Sequence, residues 1–156
     1  MLVREISHNE CMGILAEQHI ARLACAKDNM PYVIPIQYAY ASNRCYVFTM
    51  PGKKLDYLRA NPQACLQIDK YHDKDHWISV VADASFRELP EIDPPDPERL
   101  QAWSLLSDRF DWWEPGAIKP SPQPTTGTSP HVFFALDIIN VSGREASPGD
   151  RVIVAH

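Results

Sequence analysis

The chain has 156 residues, 45% of them apolar and 22% charged, and a formal net charge of -5. This length and composition predict one globular domain with its own core, and they exclude an intrinsically disordered chain and a membrane-spanning helix. The 14 prolines disfavour a bundle of long helices, and the net acidity argues against a nucleic-acid or anionic-membrane partner because the long-range field has the wrong sign.

Four cysteines stand at positions 11, 25, 45 and 65, without the close pairs that zinc and redox motifs require. The N-terminal segment MLVREISHNE lacks the apolar core of a signal peptide, so we expect a cytoplasmic protein with reduced thiols. His72 and His76 are separated by acidic and basic residues, which indicate a solvated hairpin tip. We therefore predict no metal site.

The first half of the chain combines a short helix with extended segments. Ser7 and Glu10 form a capping box, and the helical spacing of the apolar residues that follow predicts a helix to about Gln18. β-Branched and aromatic runs separated by turn residues then predict an antiparallel meander of three strands. These strands span residues 20–26, 32–40 and 44–49. Pro35 cannot donate a backbone hydrogen bond, so its strand must there be an edge, a bulge or a place that faces a ligand.

The second half predicts two further helices and three strands around two proline-rich stretches. In chain order these are a helix over 53–60, strands over 64–69 and 77–89, a proline-rich connection over 90–97, a helix over 98–109, a long loop over 111–130 and a C-terminal strand over 131–141. Residues after 141 show no further element. The pattern predicts a mainly β chain with short helices (α+β), and tight turns between short strands favour a six-stranded antiparallel barrel, closed or split, as a single domain over 1–156.

Lys53 and Lys54 are the strongest local signal for a binding site. They follow a Pro-Gly turn and open a predicted helix, where the first backbone N–H groups lack a partner within the helix and the helix dipole is positive. Two cations at that position predict an anion site, with a phosphate monoester as the natural occupant and Thr49 as a further hydroxyl donor. The alternative is a pair of solvated lysines.

Other features would complete a flat aromatic pocket. Residues Ile34–Gln37 offer backbone groups to the edge of a planar heterocycle. Trp77 and Ser79 stand at alternate positions of one strand, so they face the same side as an aromatic wall and a hydroxyl, or simply as a core residue and a surface hydroxyl. Trp112 and Trp113 need a cover, which is a cofactor, a substrate, a partner subunit or the barrel itself.

Several of these segments resemble one family. The runs PYVIPI at 31–36 and YVFTMPGKKLDYLRANP at 46–62 resemble the FMN-binding split-barrel superfamily, in particular its pyridoxamine 5'-phosphate oxidase-related branch, which includes nitroimidazole-resistance proteins. WISVV at 77–81 and WWEPG at 112–116 resemble segments of the same branch. The resemblance covers about residues 5–141. It implies a homodimeric split barrel with FMN bound at the subunit interface.

The resemblance also implies a role for each matching residue. Lys53 and Lys54 would bind the FMN phosphate, and Phe48 and Thr49 would lie beside the ribityl chain. Five consecutive residues would line the isoalloxazine edge, namely Val33, Ile34, Pro35, Ile36 and Gln37.

Later segments would contribute to the flavin ring. Ser79 would approach the ring, with Trp77 as an aromatic wall on the same strand, and Trp113 would cover it. The predicted last strand, 131–141, carries no Arg or Lys, and Arg144 stands beyond it. The resemblance therefore does not include the basic set that pyridoxamine 5'-phosphate oxidases use for the phosphate of their substrate.

These features predict an FMN-binding flavoprotein, and as an enzyme an oxidoreductase that transfers a hydride or electrons between the flavin and a small organic substrate. No catalytic residue stands out, because the flavin itself carries such chemistry. One alternative is a binding or sensor module without turnover, for a planar cofactor such as haem or a deazaflavin. Another is a barrel that has lost its pocket and uses its dimer surface only for assembly.

Overall fold

The computed structural model describes residues 1–109 and 131–149, and the predicted loop with Trp112 and Trp113 lies outside these ranges. Eight strands and three helices lie within them. In chain order they are β1 (Leu2–Glu5), α1 (His8–Glu17), β2 (Ile20–Lys27), β3 (Met30–Gln37), β4 (Ala39–Ala41), β5 (Arg44–Thr49), α2 (Lys53–Ala60), β6 (Gln63–Asp73), β7 (His76–Leu89), α3 (Pro97–Arg109) and β8 (Val132–Ser147). No helix in the described ranges is long and apolar enough to span a bilayer.

All strands belong to one antiparallel sheet with the order β3-β2-β6-β7-β8-β5-β4, and β1 pairs with β8 outside this path. Although β3 and β4 follow each other in the chain, they form the two ends of that order. One chain segment therefore joins both ends of the curved sheet, which is a split-barrel architecture. The predicted fold class is confirmed, with eight strands in place of six.

The predicted meander is wrong at Tyr38, which divides the predicted strand 32–40 into β3 and β4. Tyr38 is fully buried, its backbone N–H donates to His19 O at 2.9 Å, and its hydroxyl donates to Leu15 O at 2.7 Å. Because the residue bonds to α1 and the segment after it, β3 pairs with β2 while β4 pairs with β5. Pro35 lies on the edge strand β3, as predicted.

The sequence prediction also missed the C-terminal part of β8, which pairs with both β7 and β1. The strand runs on to Ser147, beyond the predicted end at residue 141, and its last residues pair with β7 on one side and β1 on the other. Arg144 is therefore a strand residue, opposite Glu5 of β1 and Ser79 of β7. Ser7 caps α1 as predicted, because the backbone N–H of Glu10 donates to Ser7 Oγ at 3.1 Å, but the Glu10 carboxylate pairs with Arg4 at 3.2 Å, so only this half of the capping box is seen among the described contacts.

Two apolar clusters stabilise this arrangement. The barrel interior is filled by alternate residues of the strands, which is the pattern expected when one face of each strand is buried. Its large buried members include Leu15, Leu23, Tyr38, Leu66, Ile68 and Phe134. The second cluster lies outside the barrel, where Ala102 and Leu106 of α3 pack on Tyr46 and Phe133 of the sheet.

Gly143 of β8 lies against Cys11 of α1 and against Ile6, which precedes the helix. A Cβ atom at this position would lie 2.8 Å from Ile6 Cδ1 and 2.9 Å from Cys11 Sγ. Cys11 is fully buried, so its sulfur has little freedom to move away. The absence of a side chain at position 143 therefore lets Cys11 and Ile6 pack against the strand.

A charged cluster attaches α3 to the sheet. Arg87 donates to both carboxylate oxygens of Glu98, at 2.6 and 2.9 Å, and to both of Asp137, at 3.1 Å each. Glu98 also accepts from Arg44 at 3.1 Å and from the Tyr46 hydroxyl at 3.0 Å. These donors, with Arg87 first, lower the pKa of Glu98 from its ordinary 4.5 to about 2.

Candidate functional site

The start of α2 has the features that the sequence analysis predicted for an anion site. The helix begins at Lys53, directly after Gly52, and no side chain caps its first N–H groups. These groups are therefore open donors at the positive end of the helix dipole. In the part of the chain that the structure describes, neither Lys53 nor Lys54 forms an ion pair with a carboxylate.

The two lysines point in different directions. The Lys53 ammonium lies 4.6 Å from the ring centroid of Tyr32 and 5.5 Å from that of Tyr57, so it is held by cation–π contacts on the surface. Lys54 instead lines a pocket between β3 and β5. The sequence predicts that both lysines bind one anion, but in the structure Lys54 lines the pocket whereas Lys53 lies beside Tyr32 and Tyr57.

This β3–β5 pocket has a volume of about 150 Å³. Its lining residues are Pro35, Ile36 and Gln37 of β3, Val47 and Phe48 of β5, Lys54 of α2 and Leu106 of α3. Five of the twelve predicted cofactor-binding residues therefore meet in one place, although they are up to 19 positions apart in the chain (35 to 54). Val47 and Leu106 were not predicted, because their apolar patterns are the same as those of ordinary core residues.

Lys54 is the chemically informative member of the pocket. Its side chain is half-buried, and this burial lowers the pKa of the Lys54 ammonium, an effect that the neighbouring Cys25 opposes only in part. A desolvated cation without a carboxylate partner is unfavourable unless an anion compensates it. An anionic group in this pocket would therefore be stabilised by the Lys54 ammonium.

The edge of β3 gives the pocket its second property. Within the described residues β3 pairs only with β2, so the backbone groups on its other side have no strand partner. Ile36 is buried while Pro35 and Gln37 are exposed, as strand alternation requires. Backbone donors and acceptors in a row are suited to the polar edge of a planar ligand.

Three predicted residues next to the pocket do not line it. Val33 lies on the outer face of β3 and is 62% exposed, whereas Ile34 packs against the barrel interior. Thr49 is buried at the end of β5, and its hydroxyl donates to Met50 O at 3.0 Å. As a donor the Thr49 hydroxyl is therefore already used within the protein.

Trp77 and Ser79 lie elsewhere on the same sheet. They face one side, as predicted, and line a separate cleft of about 360 Å³ that shares no residue with the β3–β5 pocket. Arg144 and Glu5 contribute charged groups to this cleft. Ser79 accepts a hydrogen bond from Gln67 Nε2 at 3.1 Å. Trp113 lies outside the described residues.

His72 and His76 lie at the two ends of the tight β6–β7 hairpin connection. Their rings form an edge-to-face contact with centroids 5.7 Å apart. Across residues 1–109 and 131–149, no three His, Cys, Asp or Glu side chains form a group that could hold a metal ion.

Comparisons with known proteins place this geometry in context. A family model described as pyridoxamine 5'-phosphate oxidase matches residues 7–145. An uncharacterized protein from Rhizobium meliloti is 45% identical over 150 residues, which are 96% of this chain and 99% of that protein.

Solved structures show the same fold. A FAD-binding protein from Mesorhizobium loti is 47% identical, with a TM-score of 0.78 and coverage of 94% of this chain and 100% of the other. A protein from Bacteroides thetaiotaomicron described as a 5-nitroimidazole antibiotic resistance protein is 12% identical, with a TM-score of 0.67 and coverage of 93% and 89%. This second likeness extends to the fold alone.

Proposed function

The chain belongs to the pyridoxamine 5'-phosphate oxidase family, and from this membership we propose that it is a flavin-dependent oxidoreductase acting on a small organic substrate. The flavin would be held at the β3–β5 pocket, and when bound it would supply the hydride or electron transfer. The protein's own residues would bind its phosphate, contact its ring edge and exclude water. The catalytic residues remain unassigned, in keeping with that division of roles.

The structural observation that supports flavin binding is the position of Lys54. Its half-buried ammonium has no carboxylate partner in the described residues, and it stands where the uncapped N–H groups of α2 begin. A flavin phosphate would compensate the cation and satisfy those donors together. These residues therefore fit the phosphate end of a flavin nucleotide, whose ring edge would meet the unpaired side of β3.

The identity of the nucleotide has two candidates. FMN is the cofactor that the sequence predicts, and its phosphate alone would satisfy the anion site at Lys54. FAD is the second candidate, because the 47% identical protein from Mesorhizobium loti is described as FAD-binding. Both nucleotides share the flavin ring, the ribityl chain and the first phosphate, so the β3–β5 pocket would serve either one.

We also propose a homodimer with the cofactor at its interface. The outer face of the sheet carries the exposed apolar residues Val33 and Val81, which are 62% and 39% accessible. Trp77 and Ser79 lie on this same face but outside the β3–β5 pocket. A two-fold partner covering the face would bring the Trp77–Ser79 cleft of one subunit towards the pocket of the other.

The four cysteines support a reducing compartment. None of Cys11, Cys25, Cys45 and Cys65 forms a disulfide. We therefore propose a cytoplasmic location, as the sequence predicts.

The flavin proposal is tested by the visible spectrum of the purified protein, before and after addition of FMN or FAD. We expect a flavin band that bleaches with a reductant, and chromatography of the nucleotide released by denaturation identifies FMN or FAD. A Soret band, the near-violet absorption of a deazaflavin, or no binding of either flavin at micromolar concentration would contradict the proposal.

Substitution tests the anion site itself. Lys54→Ala is expected to weaken flavin binding about tenfold or more, because a charge-assisted contact contributes about 1.5–3 kcal/mol. Lys74→Ala is the matched control, since Lys74 is an exposed lysine paired with Asp75 at the hairpin tip. Equal affinities of the two variants would place the phosphate elsewhere.

The dimer is tested by light scattering of the eluting protein. Val81→Glu introduces a charge on the face that the partner would cover. It is therefore expected to lower the molar mass measured in solution from that of a dimer towards that of a monomer, and to lower the flavin affinity. Ile92→Glu alters an exposed apolar residue of the 90–96 connection and serves as the control. A monomeric wild-type protein that binds flavin with full affinity would refute the interface.

A further inference from the structure

A third cleft, unrelated to the β3–β5 pocket, lies where β7 ends and where α3 and β8 begin. Its volume is about 400 Å³, within the range of small-molecule sites. It shares no lining residue with the β3–β5 pocket or with the Trp77–Ser79 cleft. Because Arg99 is its buried charged residue, it is named here the Arg99 cleft.

Arg99 is held in an unusual state for a guanidinium. The residue is only 3% exposed, and its Nη1 donates to Leu89 O at 3.1 Å. Its central carbon lies 4.8 Å from the ring centroid of Phe133. The Nε atom is buried and finds no hydrogen-bond partner among the residues that the structure describes. Burial lowers the pKa of Arg99, an effect that the charges of Glu91 and Asp96 oppose only in part.

The other charged residues of the cleft limit how many negative charges a ligand can bring. Arg59 is already paired with Glu88 through two hydrogen bonds of 3.1 and 2.5 Å. Glu91 adds a negative charge to the lining, and burial lowers the pKa of His131, which favours its neutral form. The two guanidiniums and two carboxylates of the lining are already equal in number, and Asp96 adds a further negative charge near Arg99, so a ligand with one negative charge is favoured over a dianion.

The remaining walls are apolar or aromatic. Pro90 and Val132 line the cleft together with the His131 ring. The His131 ring stacks on Phe48, with centroids 5.1 Å apart. These surfaces are suited to a planar or aliphatic body of a few carbon atoms attached to the anionic group.

We propose that the Arg99 cleft binds a small monocarboxylate with an apolar body, its carboxylate on the Arg99 guanidinium and its body against Pro90, Val132 and His131. The carboxylate accepts from the donors that Arg99 does not use within the protein. This site is separate from the flavin proposal, and it holds whether or not a flavin binds at Lys54.

Benzoate is the probe for this proposal, used with the purified full-length protein. Its binding is followed by calorimetry and by the ¹⁵N-edited NMR signal of the Arg99 Nε–H group, which reports on the guanidinium directly. We expect saturable binding with a shift of that signal, and weaker binding of sulfate, which is a dianion at neutral pH. Sulfate binding more tightly than benzoate would overturn the assignment to monocarboxylates.

Three variants make the test specific. Arg99→Met is expected to weaken benzoate binding at least about tenfold, because it removes the charge-assisted contacts. Glu91→Gln is expected to strengthen it about threefold by removing the opposing charge, and this surface change keeps the test valid if Arg99→Met fails to fold. Lys54→Ala is the control, expected to leave benzoate affinity unchanged while flavin affinity falls.

The contrary outcomes are equally clear. A folded wild-type protein that shows no saturable benzoate binding would overturn the proposal. The proposal would also be overturned if benzoate bound Glu91→Gln and wild type with the same affinity and the Arg99 Nε–H signal did not move. The carboxylate would then bind elsewhere. Loss of flavin binding in Lys54→Ala with benzoate binding intact separates this proposal from the flavin proposal.

Discussion

Two arginines near the start of α3 are held in opposite ways. Arg87 donates four hydrogen bonds to Glu98 and Asp137, so its charge is compensated by the fold itself. Arg99, which is more deeply buried, donates only to Leu89 O among the contacts that the structure describes. The difference separates a charge that is fully compensated within the fold from charges that are buried with little compensation, and Lys54 belongs to the second class.

The largest expected effect on stability concerns the cluster in which Arg87 is paired with Glu98 and Asp137. The donors around Glu98 lower its pKa from 4.5 to about 2, so the stabilisation is fully present above about pH 4.5 and is lost as the pH falls towards 2. This linkage amounts to about 3 kcal/mol. Glu98→Gln should therefore unfold at lower urea concentration than wild type at pH 7, with the difference shrinking towards pH 2.

The control is Glu88→Gln, which breaks the more exposed pair with Arg59. A surface pair contributes about 0–1 kcal/mol, so this variant should lie close to wild type at every pH. If Glu98→Gln were equally mild, the cluster at α3 would not stabilise the fold.

A direct comparison of the two arginines is expected to give the next largest effect. Arg87→Met removes four hydrogen bonds and leaves two carboxylates without their main partner, at a cost of about 2 kcal/mol. Arg99→Met removes one hydrogen bond and relieves a buried charge, so the free energy of unfolding should change by less than about 1 kcal/mol. Urea unfolding of both variants at pH 7 measures the difference, and equal losses would make Arg99 a structural residue.

The smallest expected effect is at Lys54. Because burial lowers its pKa below the ordinary 10.5, the flavin-free protein should gain stability as the pH rises through the window that ends at 10.5. Lys54→Met should abolish this rise and stabilise the flavin-free protein at pH 7 by about 0.5 kcal/mol, while flavin binding is weakened as in Lys54→Ala. Thermal unfolding at pH 7 and 10 measures both effects, with Lys74→Met as the control; a destabilised Lys54→Met would contradict the interpretation.

Local patterns account for what the sequence predicted correctly. The N-cap at Ser7, the helix after Gly52 and the edge position of Pro35, one of the three alternatives predicted for it, each depend on a short stretch of chain. The roles of the Lys53–Lys54 pair and the 34–37 segment were predicted in the same way, from residue types at a turn and along a strand, and they stay predictions.

The remaining features depend on contacts between distant residues. Tyr38 ends β3 because its hydroxyl and backbone bond to Leu15 and His19, which no strand pattern records. β1 is exposed at every position, so it has no alternation and exists only through its pairing with β8. The division between Lys53 and Lys54 was likewise unpredictable, since it depends on where Tyr32 lies in the folded chain.

The close packing at Gly143 has a consequence for how this sequence can change over time. A methyl group at 143 would lie within 2.9 Å of Ile6 and Cys11, so the substitution to Ala becomes tolerable only after one of those neighbours has become smaller. The reverse order, a smaller residue at position 6 or 11 first, leaves a void at only moderate cost. The three positions are therefore coupled, and the order in which their mutations arise decides which relatives of this chain are accessible.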